Sequence, residues 1–336
     1  MKASPQTDTP APEPGSSFSG TRSPRSPSYG PWLVGLGAAL WGTESAWRIP
    51  LNDLFDSDVI VFWEHVILVL TFLPLLLPRL GELKRVSKKA LGFLVFSGIA
   101  GSAVGTVFFT LALRYGNPIV VNVIPNLQPV ISTAAAVLLF RDRLAPRFFF
   151  WAPIAILAGI FLSVEHPELI FRSFAEAGLN LGSLYAMICA VFWALSTVAG
   201  RGVMVEMDVR LASSLRLVVG LVCMTLILAV EGKLGMSALW PATAQAHAAN
   251  AGIFLLLLAE LSGGLPLVIY FQGLSLTRAS TAGYFEMLQT FAGALVAWIV
   301  VRTATVTWSQ AVAGGLLVLA VGMVQRAQSS VENVQA

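Results

Sequence analysis

"VIPNLQPVISTAAAVLL", residues 123–139, is the stretch whose reading decides the fold. It is long enough to cross most of a bilayer, yet its first half holds Asn126, Gln128, Pro125 and Pro129. A second stretch, "YFEMLQTFAGALVAWIV" at 284–300, repeats it at a fixed offset of 161, pairing Leu127 with Leu288, Gln128 with Gln289, Ala136 with Ala297 and, just beyond, Arg141 with Arg302. Amides and helix breakers deep in an apolar run need partners or water, because lipid offers neither.

Working outward, the composition fits a membrane. The chain has 336 residues, of which 56% are hydrophobic and 12% charged, and its mean hydropathy is +0.76. Soluble domains hold about 45–50% apolar and about 25% charged residues. A net charge of +3 is too small to suggest nucleic acid. Cys189 and Cys223 sit in apolar runs without metal-ligand spacing, so neither a metal nor a cofactor is expected. Residues 1–30, rich in Pro and Ser, read as a disordered tail.

About 20 helical residues span the hydrocarbon layer. That ruler predicts ten spans, at about 31–51, 58–78, 90–114, 117–140, 147–164, 179–200, 209–230, 250–275, 279–301 and 305–325. With the N-terminus inside, fourteen Lys and Arg fall on the inner segments. Only five fall outside, Arg48, Arg114, Arg172, Lys233 and Arg302, with Arg210 and Arg216 left out as lying within or at the edge of a span. The excess predicts cytoplasmic termini at both ends. The basic connector "RLGELKRVSKK" at 79–89 reads as a topology anchor against lipid headgroups.

The halves match elsewhere too. "AALW" ending at Trp41 answers "AVFW" ending at Trp193, and "SDV" at 57–59 answers "MDV" at 207–209. Five spans each give halves of opposite orientation, a transporter pattern with the solute site at their interface. The expected organisation is a first five-helix repeat over 31–164, a second over 179–326 and a short tail, 327–336.

"GLGAALWGTESAW" at 35–47, "FFTLALRYGNPIVVNVIPNLQPVISTAAAVLLFRDRL" at 108–144, "FWALSTVAGR" at 192–201 and "VIYFQGLSLTRASTAGYFEMLQTFAGALVAWIV" at 268–300 resemble the drug/metabolite transporter superfamily, and within it the EamA-type permeases. The resemblance covers roughly 31–326. It implies an all-α membrane protein of ten helices in two inverted five-helix repeats, moving small organic metabolites. Family helices after the fourth span often end in an acidic residue. Asp142 fits that place, and Thr303 departs from it in the second half.

An intramembrane charge costs about 2.5–3.5 kcal/mol on insertion scales, so each marks a partner or a wet cavity. Glu44 and Glu64 share a depth near the outer side and are candidates for proton coupling; Glu44 also has Arg48 at i,i+4. His65 reads as a packing residue. Arg216 and Glu286, matched in depth from the inner side, are expected to pair as a gate or a structural bridge. Glu260 at midplane, before the helix-breaking "LSGGLP", is the sharpest candidate for solute or proton binding. Gln128 and Gln289 share faces with small residues and are expected to tie the fourth and ninth helices. Asn126 lies on another face with Asn122 and Thr133 and is expected to line a cavity. Trp41, Trp193, Tyr284 and Tyr270 are candidates for its aromatic wall, which would suit amino acids or other amphipathic metabolites.

No G-x-S-x-G, H-E-x-x-H or Walker A motif occurs, which argues against an intramembrane enzyme. The expected protein is a multi-pass transporter of a bacterial-type inner membrane, with the bilayer and a small metabolite as partners. Proton-coupled export is the leading mode and a passive channel the alternative. Whether the protein is a monomer or a homodimer is not legible.

Overall fold

The computed structural model describes residues 29–115, 123–164, 166–177, 180–296, 298–299 and 307–335. Most of the expected tail, residues 1–28, lies outside them, as do Asn122, Ala297, Arg302 and Thr303. Every regular element among the described residues is a helix, the geometry that satisfies each backbone group within its own segment in lipid.

Six stretches are long and apolar enough to cross a membrane: Ser57–Arg85, Lys88–Ala112, Leu181–Val203, Val209–Val230, Ala248–Ser275 and Trp308–Ser329. They are the expected second, third, sixth, seventh, eighth and tenth spans. The other four are helical but shorter or broken, so ten full-length spans are not seen among the described residues. The first divides into Gly30–Trp41 and Ser45–Asn52 around a tight turn at Gly42–Glu44. The fourth, described from Val123, starts as a tight turn at Ile124–Leu127 and continues as Gln128–Phe140. Its prolines remove the donors that a regular α-helix would use there. The fifth, Phe148–Leu162, has 15 residues, about 22 Å at 1.5 Å each. The ninth divides into Ala279–Glu286 and Leu288–Val296. At the C-terminus the tenth helix runs through the expected tail to Gln335.

The third and eighth spans share a distortion. Each contains a widened π-type turn, at Gly98–Val104 and Glu260–Gly264. Such turns commonly mark functional sites in helices. The glycines of "SGIAGSAVG" and "ELSGG" supply the backbone freedom.

The helices pack in a pattern that maps onto itself when the halves are exchanged. The first span packs on the eighth and the third on the sixth; the second lies on the seventh, the fourth on the ninth and the fifth on the tenth. Adding or subtracting five interchanges the first–eighth and third–sixth pairings and returns each of the other three to itself. A close backbone approach comes where the first span meets the ninth. There the backbone of Gly42 lies so near the Gln289 carbonyl that a Cβ would collide with it, and would stand 2.8 Å from Gly293 N.

Polar links join the halves at the ends of the bundle. Glu206 accepts from the backbone N–H and hydroxyl of Ser87, at 3.0 and 2.9 Å, and these bonds hold its carboxyl below the usual range. The Ser280 hydroxyl donates to Asp142 at 2.6 Å. At the other end Lys233 meets Asp58 at 2.7 Å and Asp56 at 3.3 Å, and its neighbouring carboxylates raise its pKa. The Trp63 indole donates to the Leu239 carbonyl at 2.8 Å.

Replacing Gly42 by Leu forces the first and ninth spans apart against backbone, at a cost of about 1–3 kcal/mol or more. The expected result is a melting temperature on the order of 5 °C lower in detergent. Gly252→Leu, where a Cβ meets nothing within 4 Å, should leave it unchanged.

Candidate functional site

One cavity gathers side chains from the first, second, third, fourth, sixth, seventh, eighth and ninth spans. About 910 Å³ in it, its open mouth included, is free of atoms. Its walls hold Trp41, Glu44, Arg48, Glu64, His65, Gln128, Trp193, Arg216, Tyr270, Glu286 and Gln289, with Ser and Thr hydroxyls between them. Nine of the twelve candidates named from sequence therefore meet in a single space. The three outside its lining are Asn126, Glu260 and Tyr284.

The first polar cluster is built on the break in the first span. The turn at Gly42–Glu44 carries Glu44, and one helical turn later Arg48 reaches back to it at 3.1 Å. The same Nη2 of Arg48 meets Glu64 of the second span, also at 3.1 Å. Two carboxylates thus share one guanidinium, which is 5% exposed. Its other terminal nitrogen, Nη1, is buried without a protein partner. His65 turns away from this pair. Its Nδ1 meets the Val61 carbonyl at 2.8 Å and its Nε2 is buried without a partner. The ring packs on Gly220 of the seventh span, where a Cβ would come within 2.5 Å of Nε2.

The second cluster lies on the other half. Glu286 accepts from the Tyr270 hydroxyl at 2.7 Å and the Thr197 hydroxyl at 2.8 Å through the same oxygen. Arg216 donates through Nε to Ser102 at 3.0 Å, and its guanidinium stands 5.3 Å over the Phe271 ring. No carboxylate among the described residues lies within 4.0 Å of Arg216. The expected Arg216–Glu286 ion pair is therefore corrected. Both groups face the same cavity, but a hydroxyl and a ring hold the cation while two hydroxyls hold the anion.

The amides exchange their expected places. Asn126 is buried and spans helices: its Nδ2 donates to Ser163 at 2.8 Å, and its Oδ1 accepts from Thr290 at 3.3 Å. Gln128 and Gln289, expected as the ties, instead line the cavity, and their side-chain amides make no hydrogen bond with another described residue. The cause is local. A tight turn at Ile124–Leu127 precedes Gln128, and which face of the fourth span meets solute is set by packing against the fifth and ninth.

Glu260 departs from its expected place as well. It opens the π-type turn of the eighth span, which adds a residue to that turn and swings the side chain aside. Its Oε1 accepts from Thr71 at 2.5 Å, at an exposed position on the second span. Ser262 and Gly263 take the wall instead, with the Ser262 hydroxyl 2.8 Å from that of Thr43. Tyr284 is 3% exposed and packs edge-on to Phe148 at 5.3 Å between centroids, inside the main apolar core.

Both indoles have support. Trp41 lies against Tyr270 at 4.7 Å and 46°. Trp193 lies against Phe109 at 5.2 Å, over Gly105, where a methyl would stand 2.6 Å from its Cδ1. Sequence reasoning missed Ser102, Thr106, Ser196 and Ser262 in the wall. The available signal was their place inside apolar runs, three of them within or beside the glycine-rich turns. Among the described residues no His, Cys, Asp and Glu group could hold a metal ion.

Comparison with known proteins agrees with this architecture. The riboflavin transporter ImpX of Fusobacterium nucleatum subsp. nucleatum is 28% identical over 199 residues, which cover 56% of this chain. The match spans 63% of that curated relative's length. A solved crystal structure aligns over 89% of this chain and 98% of its own, with a TM-score of 0.64 at 17% identity, a likeness of fold alone. The EamA-like transporter family matches twice in tandem, at residues 28–164 and 180–326. With both matches covering most of its length, this chain belongs to the EamA-like transporter family.

Proposed function

We propose that the chain is a proton-coupled secondary carrier that exports a small organic solute by alternating access between two inverted five-span halves. The observation that carries this reading is a polar cavity, built from eight spans of both halves within a largely apolar bundle. Ten crossings in the notation above, with both termini cytoplasmic, supply the frame. The Glu44–Arg48–Glu64 cluster serves the proton. With two carboxylates on one guanidinium it holds one excess negative charge, and a single proton makes it neutral. Proton and solute occupy one cavity, so their alternate binding gives exchange, and an inward proton gradient then drives solute outward. Arg216 and Glu286, separated in this conformation, are groups whose partners change as the halves rock.

A passive channel would carry the same lining, and exchange separates the two. In proteoliposomes loaded with unlabelled solute, a carrier takes up labelled solute faster than in empty ones; a channel shows no such acceleration. The relative's name makes riboflavin the first solute to try, beside amino acids. Acceleration by internal solute is the expected result, and its absence for every solute overturns the reading.

Two substitutions test the coupling. Glu64→Gln should keep solute exchange within about twofold while abolishing the response to an imposed pH gradient. Glu260→Gln should transport like the parent chain at every pH, because Glu260 lies outside the cavity lining. If Glu64→Gln keeps a normal response to the gradient, the proton site lies elsewhere.

A further inference from the structure

We infer that the solute is a planar, uncharged heterocycle bearing carbonyl and ring N–H groups, stacked against Trp41 and Trp193 and read at its edge by Gln128 and Gln289. This rests on the carrier reading above and names its substrate class.

The carboxylates in the cavity are already engaged: Arg48 holds Glu44 and Glu64, and Glu286 accepts two hydroxyl bonds. Arg216, by contrast, meets only the Ser102 hydroxyl and the Phe271 ring. A free amino acid would bring its own ammonium into this wall, and seating it on Glu44, Glu64 or Glu286 would require dismantling bonds whose loss is costly in a low-dielectric interior. The two glutamines differ. Each lines the cavity, and neither side-chain amide bonds to another described residue. A primary amide offers two donors and a carbonyl acceptor. Its complement is a ring edge with a carbonyl beside an N–H, the kind of bidentate match that Asn and Gln make with heterocyclic bases.

The aromatic wall points the same way. Trp41 is braced by Tyr270, and Trp193 by Phe109 and the bare backbone at Gly105. Fixed rings of this kind stack on flat π-systems. Indoles and amides are also the lining groups that the halves share: Trp41 answers Trp193, and Gln128 answers Gln289. The charged clusters are not shared in this way. A matched pair of stacking groups and a matched pair of amides suit a flat molecule with two faces and polar edges.

The test uses the purified full chain and three probes. Riboflavin and guanosine carry the proposed edge, and phenylalanine is flat but zwitterionic. Riboflavin fluorescence should be quenched on binding, guanosine should reverse the quenching, and phenylalanine should not. Gln128→Leu and Gln289→Leu should each weaken riboflavin binding about tenfold, the loss of about one hydrogen bond, with elution and melting temperature as in the parent chain. Trp41→Phe should bind more tightly than Trp41→Ala. Phenylalanine exchange in proteoliposomes with no binding of either heterocycle would overturn the substrate class and leave the carrier standing. Parent-like binding by both glutamine variants would also overturn it. No exchange of any probe would bring down the carrier reading as well.

Discussion

Everything in this bundle turns on the cost of holding charge in an apolar interior. Five ionised or ionisable carboxylate and guanidinium groups (Glu44, Arg48, Glu64, Arg216 and Glu286) lie within the membrane-embedded runs and line one space. Scattered singly against lipid, each would cost several kcal/mol. Gathered around a shared cavity, they are bonded to one another, to hydroxyls or to a ring face. The helices around them are shaped to allow this. The first span breaks at Gly42–Glu44 to present its acid, and the third and eighth carry widened turns that bring hydroxyls and glycine backbone to the wall.

The internal symmetry explains what is duplicated, and departures from it show where the halves have specialised. Helix pairings survive exchange of the halves, and so do the π-type turns, the indoles and the glutamines. The charges do not. Glu64 meets an arginine on its own half, while Arg216 of the seventh span meets Ser102 and Phe271. A symmetric scaffold suits alternating access, because each half can play the other's part.

Much of the fold was legible in the sequence because it rests on long-range regularities. Hydropathy located the helices, and the offset of 161 located the repeat. The candidate site was legible in part. Glu44, Glu64, Arg216, Glu286, Trp41 and Trp193 all reach the cavity, while Glu260, Asn126 and Tyr284 lie outside its lining. The reason is physical: a face is assigned by assuming 100° per residue, and these spans break that rule where it matters. A tight turn precedes Gln128, a π-type turn begins at Glu260, and the ninth helix is interrupted just after Glu286. Tyr284 and Glu286 are two residues apart, so only one of them can face inward. The same irregularities that build the cavity hide it from periodicity.

The central claim is that this cavity is a wet path reached from each side of the membrane in turn. The direct measurement is the reactivity of single cysteines at Gln128 and Gln289 toward an impermeant maleimide, in sealed vesicles of both orientations. The parent chain should first have Cys189 and Cys223 replaced by Ala. The account predicts that both positions react from either side, that solute slows both reactions, and that a cysteine at Tyr284 stays unreactive. Labelling of neither glutamine position from either side, or equal labelling at Tyr284, would contradict it.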